Sequence, residues 1–336
     1  MSRPGFRKKM GRRPRRAVRP RAVSNALVLA AAARVPMGIA FAAVVGATAS
    51  FASDPIPGPL PPDLDRGRSI FEATGGCTCH TNYPGEGDAA PELAGGRALE
   101  TPFGIFYSTN ITPDPETGLG RWNDEDFIRA MRQGLSPKGD NYFPVFPYPA
   151  FAGLRDQDLR DLKAYLDSRP PVDRANKPPG APFPLSWRPA ISGWKWLNFA
   201  PAPIPNDPIQ SPEWNRGQYL VRAAAHCGEC HTPRTLTGGL DDSLRLAGSR
   251  DGPEGELAPN ITPDRDTGIG RWSQNDLVWY LETGFKPDGD DTQGLMSEVI
   301  EHGYSRLSQQ DLGAIATYIL SLDPIQNKVT GPSSND

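Results

Sequence analysis

Apolar residues recur at helical spacing in several segments of the chain, and Gly- and Pro-rich stretches separate these segments. Phe127 and Met131 lie four positions apart, and Leu277, Val278 and Leu281 repeat the pattern later in the chain. Because spacings of three and four place side chains on one face of a helix, both segments are predicted to be amphipathic helices. Further helices are predicted at residues 63–74, 156–168, 214–225 and 308–322. No segment alternates convincingly as a strand, so the fold is predicted to be all-α and loop-rich.

The predicted helices belong to an internal duplication with an offset of 150 residues. Residues 108–140 and 258–290 share 15 identical residues in 33 positions, including the run Asn-Ile-Thr-Pro-Asp and a later Gly-x-Gly-Arg-Trp. Such self-similarity indicates two copies of one domain. We predict a first domain at residues 60–168 (the first copy), a second domain at residues 214–325 (the second copy) and a tail at residues 326–336.

The stretch between the two copies is rich in proline. Residues 169–214 contain twelve prolines, so the linker at residues 169–213 is predicted to be extended rather than helical. Three tryptophans, Trp187, Trp194 and Trp196, favour a linker that lies against the domains and fixes their separation. The alternative is a plain spacer.

The second copy carries a Cys-x-x-Cys-His motif, the spacing used for covalent attachment of c-type haem. Cys227 and Cys230 lie three residues apart, so on a helical turn both thiols reach the two vinyl groups of one porphyrin. His231 follows directly and is predicted to ligate the iron from the proximal side. Met296 is predicted to be the distal ligand, because a methionine commonly fills that position in cytochromes c. Met131 has a leucine as its counterpart and is predicted to pack in the core.

The corresponding motif of the first copy is one residue shorter and reads Cys-Thr-Cys-His from Cys77 to His80. On a helix, positions two apart point about 200° apart, so both thiols address one porphyrin edge only with local unwinding. Three interpretations are open. A haem is held through Cys79 and ligated by His80, a doubly linked haem on a distorted turn also uses Cys77, or the domain binds no haem.

The distal side of the first site also differs from that of the second. Phe146 stands where the second copy has Met296, and phenylalanine cannot ligate iron. A haem bound there would have a sixth coordination position that is empty, holds water, or accepts a side chain such as Tyr148 or Lys138. Arg121 and Arg271, in the two Gly-x-Gly-Arg-Trp runs, are candidate partners of haem propionates, since guanidinium suits carboxylates. Turn formation and Trp packing are the competing explanation for these runs.

Disulfides and zinc are the competing explanations for the four cysteines. Exported chains often contain disulfides, but disulfide pairing gives no reason for the histidine that follows each cysteine pair. Two isolated triplets far apart in the sequence make a poor tetrahedral zinc site. Covalent haem is therefore the favoured interpretation of both motifs.

The first 52 residues differ from the rest of the chain in charge. They contain 11 of the 36 Lys and Arg residues and no acidic residue, and an Ala-rich apolar stretch follows their basic start. This order predicts a secretory signal peptide and a periplasmic protein. An uncleaved N-terminal anchor is the alternative, because the apolar stretch from Ala26 is long enough to span a membrane, although Arg34 interrupts it.

Without that segment, 25 basic and 39 acidic residues remain, a net charge of −14. An acidic exported protein is a poor nucleic-acid binder and favours partners with basic docking faces. No later segment is apolar enough to span a membrane, so the exported protein is predicted to be soluble or only peripherally membrane-attached.

The chain resembles the diheme cytochrome c proteins related to the cytochrome subunits of membrane-bound bacterial alcohol and gluconate dehydrogenases. The resemblance runs from about residue 66 to residue 324. It rests on the second cysteine motif with its flanks (residues 226–234), the twin Asn-Ile-Thr-Pro-Asp blocks, and Pro-Tyr-Pro at residues 147–149. It implies two tandem class I cytochrome c folds and two covalent haem c groups. The shorter Cys77–Cys79 motif and the absence of a third haem domain depart from the family pattern.

The resemblance also implies that electrons pass from a periplasmic dehydrogenase toward quinone or a terminal oxidase. We therefore predict a periplasmic electron carrier without substrate chemistry of its own. A haem enzyme of a peroxidase-like or small-anion type, using an open iron position at the first haem, is the alternative. A docking module whose first domain has lost its haem is a third.

Overall fold

The computed structural model describes residues 59–83, 91–180, 182–183 and 187–330. The predicted signal peptide or anchor, residues 1–52, lies outside the described residues. All described residues belong to one compact unit, and the division into two domains stays a prediction. Among them, we find no helix with the length and apolarity needed to cross a membrane.

Within the described residues, the two copies present similar orders of helices. The first copy holds α1 (Leu64–Ala73), β1 (Ala98–Thr101), β2 (Gly104–Tyr107), α2 (Asp124–Gln133), α3 (Tyr148–Phe151) and α4 (Asp156–Asp167). Between the copies lies α5 (Ala190–Asn198). The second copy holds α6 (Pro212–Tyr219), extended by a π-helical turn (Leu220–Ala224), and then α7 (Gly228–His231), α8 (Gln274–Thr283), α9 (Gly294–His302) and α10 (Gln309–Leu320).

Local capping explains where the central helix of each copy begins and ends. Asn123 caps α2 by accepting a hydrogen bond from the backbone N–H three residues on (2.8 Å), and Ser273 and Asp276 form a reciprocal capping box at α8. Each helix ends at a glycine with positive φ, Gly134 or Gly284. The predicted amphipathic helices are confirmed at both places.

The first and last helices of each copy cross at a glycine. A Cβ placed on Gly67 of α1 would lie 2.0 Å from the carbonyl oxygen of Asp161 in α4, and one on Gly217 of α6 would lie 1.9 Å from that of Ala314 in α10. Only glycine permits backbones to approach this closely. The two crossings close the core that lies beneath each cysteine motif.

The prediction of an all-α chain is wrong at residues 98–107. The model is mostly helical, but β1 and β2 form an antiparallel hairpin in which Ala98 pairs with Tyr107 and Thr101 with Gly104. Both strands are four residues long, and only Phe106 among their side chains is buried. Because the hairpin is short and mostly exposed, its sequence does not show the alternation of apolar and polar residues that predicts a strand.

The prediction that the linker is extended throughout is also wrong, because α5 lies within it. None of the twelve prolines lies within residues 190–200, and the chain forms a helix there. Lys195 of α5 donates to the carbonyls of Gln133 (2.6 Å) and Gly134 (3.0 Å), and Asn198 accepts from the Thr237 hydroxyl (2.7 Å). The helix therefore contacts both copies.

Candidate haem-binding sites

The Cys-x-x-Cys-His motif of the second copy forms its own short helix. His226 has a φ of 39°, which separates the π-helical turn after α6 from α7. Cys227 is the N-cap of α7, and Cys230 and His231 lie within it. The two thiols and the imidazole therefore share one turn, as the spacing predicts.

The His231 ring is held by a hydrogen bond to the backbone. Its Nδ1 lies 2.7 Å from the carbonyl oxygen of Pro259. Because a carbonyl oxygen only accepts, Nδ1 carries the proton and Nε2 keeps its lone pair. Burial lowers the pKa of His231 and so favours the neutral ring. A neutral imidazole with an oriented, unprotonated Nε2 is the form that ligates a metal.

The first copy reaches the same imidazole arrangement despite its shorter motif. Nδ1 of His80 lies 2.7 Å from the carbonyl oxygen of Thr109, and burial lowers the pKa of His80 as well. Thr109 precedes Asn110 as Pro259 precedes Asn260, so the same loop position holds both rings. The sequence analysis did not predict this role of the Asn-Ile-Thr-Pro-Asp loops. Every residue type has a backbone carbonyl, so the sequence does not indicate which carbonyl accepts the hydrogen bond.

The asparagines of these loops fix the carbonyls in place. Asn110 accepts from the backbone N–H two residues on (3.0 Å) and donates to the carbonyl of Val172 (2.7 Å). Asn260 makes the same two bonds, and Ile325 supplies the second carbonyl (2.9 and 2.7 Å). The chain that follows α4 therefore supports the first site, although the sequence assigns residue 172 to the linker.

The two arginines of the Gly-x-Gly-Arg-Trp runs lie at the surface. Arg121 pairs with Glu116, and Arg271 pairs with Asp266 at 3.1 Å. All four side chains are exposed. Their contact with haem propionates stays a prediction.

The Cys77–Cys79 motif forms a 3-10 turn, with Cys77 as its N-cap, rather than an α-helical turn. Cys77 has a φ of 52° and follows Gly75 and Gly76, which also have positive φ. A 3-10 turn (Thr78–His80) comes next. The backbone around Cys77 is therefore not α-helical. Such local unwinding is what two thiols two residues apart need in order to address one porphyrin edge.

All four cysteines are unpaired, partly buried thiols. Burial raises the pKa of Cys77 and Cys230 to about 12 and that of Cys79 and Cys227 to about 11. Thiols with such pKa values stay protonated at neutral pH as long as no metal is bound. Within the described residues, we find no group of three or more His, Cys, Asp or Glu side chains arranged to hold a metal ion.

The candidate distal residues lie in different settings. Met296 is the third residue of α9 rather than part of a loop, and it packs, half-buried, against the main apolar cluster. Its counterpart Phe146 packs against the same cluster, with its ring 5.8 Å from that of Phe151. Met131 is buried in the core, in agreement with its predicted packing role.

Tyr148 and Lys138, the two candidate sixth ligands of the first site, differ in burial. Lys138 is exposed in the turn after α2. Tyr148 is fully buried, and its hydroxyl has no hydrogen-bond partner in the protein. Burial also raises the pKa of Tyr148, so the phenol stays protonated. A buried hydroxyl without a protein partner fits a site at which a bound group supplies the partner.

The two copies meet through reciprocal contacts that bring the cysteine motifs together. A Cβ on Gly76, one residue before the first motif, would lie 2.4 Å from the carbonyl oxygen of His302. The ring of His226, one residue before the second motif, lies 5.2 Å from Phe151. Residues 76 and 226 are equivalent in the repeat, so each motif is preceded by a residue that contacts the other copy. The residues that precede the two cysteine motifs, Gly76 and His226, therefore both lie at this interface.

A buried arginine that the sequence did not single out crosses the same interface. The Arg97 side chain is 4% exposed and pairs with Glu254 and Glu298 of the second copy. These acids lie 157 and 201 residues further along the chain, so no spacing rule connects them.

No family model matches the chain. It is 40% identical over 296 residues to a protein named "Diheme cytochrome c-type" from Cereibacter sphaeroides, which covers 86% of this chain and 98% of that protein. It is 40% identical over 263 residues to the fructose dehydrogenase cytochrome subunit of Gluconobacter japonicus (78% of this chain, 53% of the relative). It is 38% identical over 269 residues to the gluconate 2-dehydrogenase cytochrome c subunit of Pantoea cypripedii (77% and 59%).

The chain thus spans a little over half the length of these dehydrogenase cytochrome subunits but nearly the whole of the diheme protein. The level of identity and the coverage of the diheme protein confirm the resemblance stated from the motifs. The chain belongs to the diheme c-type cytochrome family.

Proposed function

We propose that the chain is a periplasmic electron-transfer protein that holds two haem c groups. The observation that supports it most directly is the matched pair of imidazoles: His80 and His231 each present a free Nε2 beside a cysteine motif, with Nδ1 2.7 Å from a backbone carbonyl. When bound, haem c supplies a reversible one-electron iron couple. Cys227 and Cys230 would hold the second haem through two thioethers, and Cys79, with or without Cys77, would hold the first.

The axial residues make the two sites unequal. His231 and Met296 would ligate the second haem, and a methionine ligand raises the reduction potential. His80 would ligate the first haem without a methionine, since Phe146 offers no ligand. Electrons would therefore enter at the first site and leave from the second.

Aromatic rings connect the distal side of the first site to the cysteine motif of the second. The rings of Phe146, Phe151 and His226 contact each other in sequence at 5.8 and 5.2 Å. We propose that these packed side chains fix the separation of the two haems. These features suit direct transfer of an electron between them.

The partners follow from the relatives. Because related chains are cytochrome subunits of fructose, gluconate and alcohol dehydrogenases, we propose a periplasmic dehydrogenase as donor and a quinone-linked or oxidase acceptor. An N-terminal signal peptide, or an anchor if it is retained, would place the protein in the periplasm. Its acidic surface would favour basic docking faces.

A haem enzyme is the second candidate, and the distal side of the first site favours it. Phe146 leaves the sixth iron position without a side-chain ligand, and the unpartnered hydroxyl of Tyr148 is a candidate donor to a bound small molecule. Reduced-minus-oxidised spectra with added cyanide, nitric oxide or peroxide test this candidate. A spectrum that none of the three changes would refute it.

Intact mass and a pyridine haemochrome spectrum of the exported protein test the proposed function. We expect the mass of two haem groups, with a spectrum that distinguishes singly from doubly linked haem. Cys79→Ser should remove one haem, whereas the matched variant Cys77→Ser should keep both if Cys79 alone holds the first haem. A colourless protein, or one that keeps both haems in the double variant Cys227→Ser/Cys230→Ser, would refute the proposal.

A further inference from the structure

We propose that Arg97 of the first copy is a positioning residue for the methionine side of the second haem site. The first copy would then help to determine the coordination and the potential of the second haem. This inference rests on the proposed ligation of that haem by His231 and Met296.

The Arg97 guanidinium bridges two carboxylates of the second copy. Its Nε and Nη2 donate to Glu254 at 3.0 and 3.2 Å, and Nη2 and Nη1 donate to the two carboxylate oxygens of Glu298, the first of them at 3.1 Å. Glu254 lies in the 3-10 turn Pro253–Gly255, and Glu298 lies in α9. Since the planar guanidinium offers five donors in a fixed geometry, it can hold both carboxylates at once.

Glu298 is two residues from Met296 on the same helix. The N-terminus of that helix is capped by a residue from another loop rather than by its own N-cap side chain. The N-cap residue Gln293 makes no side-chain cap hydrogen bond. Glu256 instead accepts from the backbone N–H of Leu295 at 3.0 Å. The loop that supplies Glu256 also supplies Glu254, so Arg97 ties both the helix and the loop that caps it to the first copy.

Removing the arginine would take away the guanidinium that bridges the carboxylates of Glu254 and Glu298, whose side chains are 22% and 23% exposed. The like charges of the two carboxylates would then repel each other. Glu254 would pull the capping loop away from α9, and Glu298 would rotate or shift the helix. Both movements displace Met296, because a helix this short moves as one body. The His231 side of the site would keep its bond to Pro259, so the loss would be confined to the methionine side.

The test uses the full chain with both haems attached and compares Arg97→Gln with Arg97→Lys and Arg155→Gln. Arg155 crosses the same interface, with its guanidinium 4.5 Å from the Tyr219 ring, and its Nε donates to Asp158 of its own copy. We measure the ferric absorption band at about 695 nm, which reports methionine ligation, and the midpoint potential of each haem.

We expect Arg97→Gln to keep two haems but to lose most of the band at about 695 nm and to lower the potential of the second haem. Arg97→Lys should restore part of both, because one ammonium neutralises charge but cannot bridge two carboxylates. Arg155→Gln should change neither. If Arg97→Gln fails to fold, Glu298→Ala removes the group on α9 that Arg97 holds and should produce smaller changes of the same sign.

A normal band and potential in Arg97→Gln or in Glu298→Ala, with two haems bound, would overturn the inference and leave the proposed electron-transfer function intact. Equal losses in Arg97→Gln and Arg155→Gln would also overturn it, because they would indicate a general weakening of the interface. Absence of the band from the unaltered protein would refute methionine ligation itself, and the inference with it.

Discussion

The close crossing of α6 and α10 predicts that the stability of the second copy depends on one glycine, Gly217. Gly217→Ala adds a Cβ 1.9 Å from the carbonyl oxygen of Ala314, and ordinary contact begins at 3.4 Å. The helices must therefore separate by about 1.5 Å, since the obstacle is backbone and cannot rotate away. The same movement disturbs the packing of Trp214 on Tyr318, whose rings lie 5.0 Å apart.

The magnitude follows from two opposing effects. Overpacking of this kind costs about 3 kcal/mol, and alanine returns about 1 kcal/mol relative to glycine inside a helix. The expected net loss in the free energy of unfolding is about 2 kcal/mol, which lowers Tm by roughly 4–8 °C. The haem attachment turn follows α6 directly, so haem content should fall together with stability.

Gly313→Ala provides the matched control on the facing helix. A Cβ there would lie 3.6 Å from its nearest neighbour, a carboxylate oxygen of Glu213. This variant should be neutral or gain about 0.5–1 kcal/mol. Thermal unfolding of the haem-loaded proteins, followed by far-ultraviolet circular dichroism, makes the comparison. Equal Tm values for Gly217→Ala and Gly313→Ala would show that the close approach of the backbones has no energetic consequence.

Three further predictions concern the haem sites and the pH dependence of stability. Met296→Ala should abolish the band at about 695 nm, whereas Met131→Ala should keep the band and lower the free energy of unfolding by about 2–5 kcal/mol; an unchanged band in the first variant would contradict the ligand assignment. Phe146→Met should raise the potential of the first haem in a spectroelectrochemical titration, and an unaltered potential would indicate that residue 146 does not face the iron. Burial opposes ionisation of Asp161, but hydrogen bonds from Arg66 and the backbone outweigh it and lower the pKa of Asp161. Its contribution to stability is therefore present above the ordinary carboxyl pKa and lost as the pH falls below it, so urea titrations of Asp161→Asn and the unaltered protein should differ at pH 7 and converge in acid.

The helices and the second haem motif could be predicted from the sequence because each depends on local rules. Apolar spacing predicts α2 and α8, and their caps and terminal glycines lie within a few residues of the helices they bound. The helix α5 was missed because a count of prolines over the whole linker hides a proline-free stretch in its middle. The hairpin was missed because its strands are too short and exposed to alternate.

The supporting contacts of the sites could not be predicted, because they join residues far apart in the chain. The carbonyls of Thr109 and Pro259 act through the backbone, which is the same in every residue type. Arg97 meets acids from the other copy, and many arginines and acids in the sequence would have fitted such a pair equally well. Only the folded arrangement selects among them.

The shortened first motif shows that the position of the thiols and the position of the imidazole are two separate requirements. The second motif meets both at once. In α7, helical spacing positions both thiols and the imidazole at once. In the first copy, a residue is missing and Cys77 turns left-handed, yet His80 keeps the same 2.7 Å bond to its loop. The position of the imidazole is therefore determined by the Asn-Ile-Thr-Pro-Asp loop rather than by the spacing of the cysteines. A change in the spacing of the cysteines can therefore leave the imidazole in place, and a haem at the first site of this diheme family member would be attached differently but could keep the same proximal histidine.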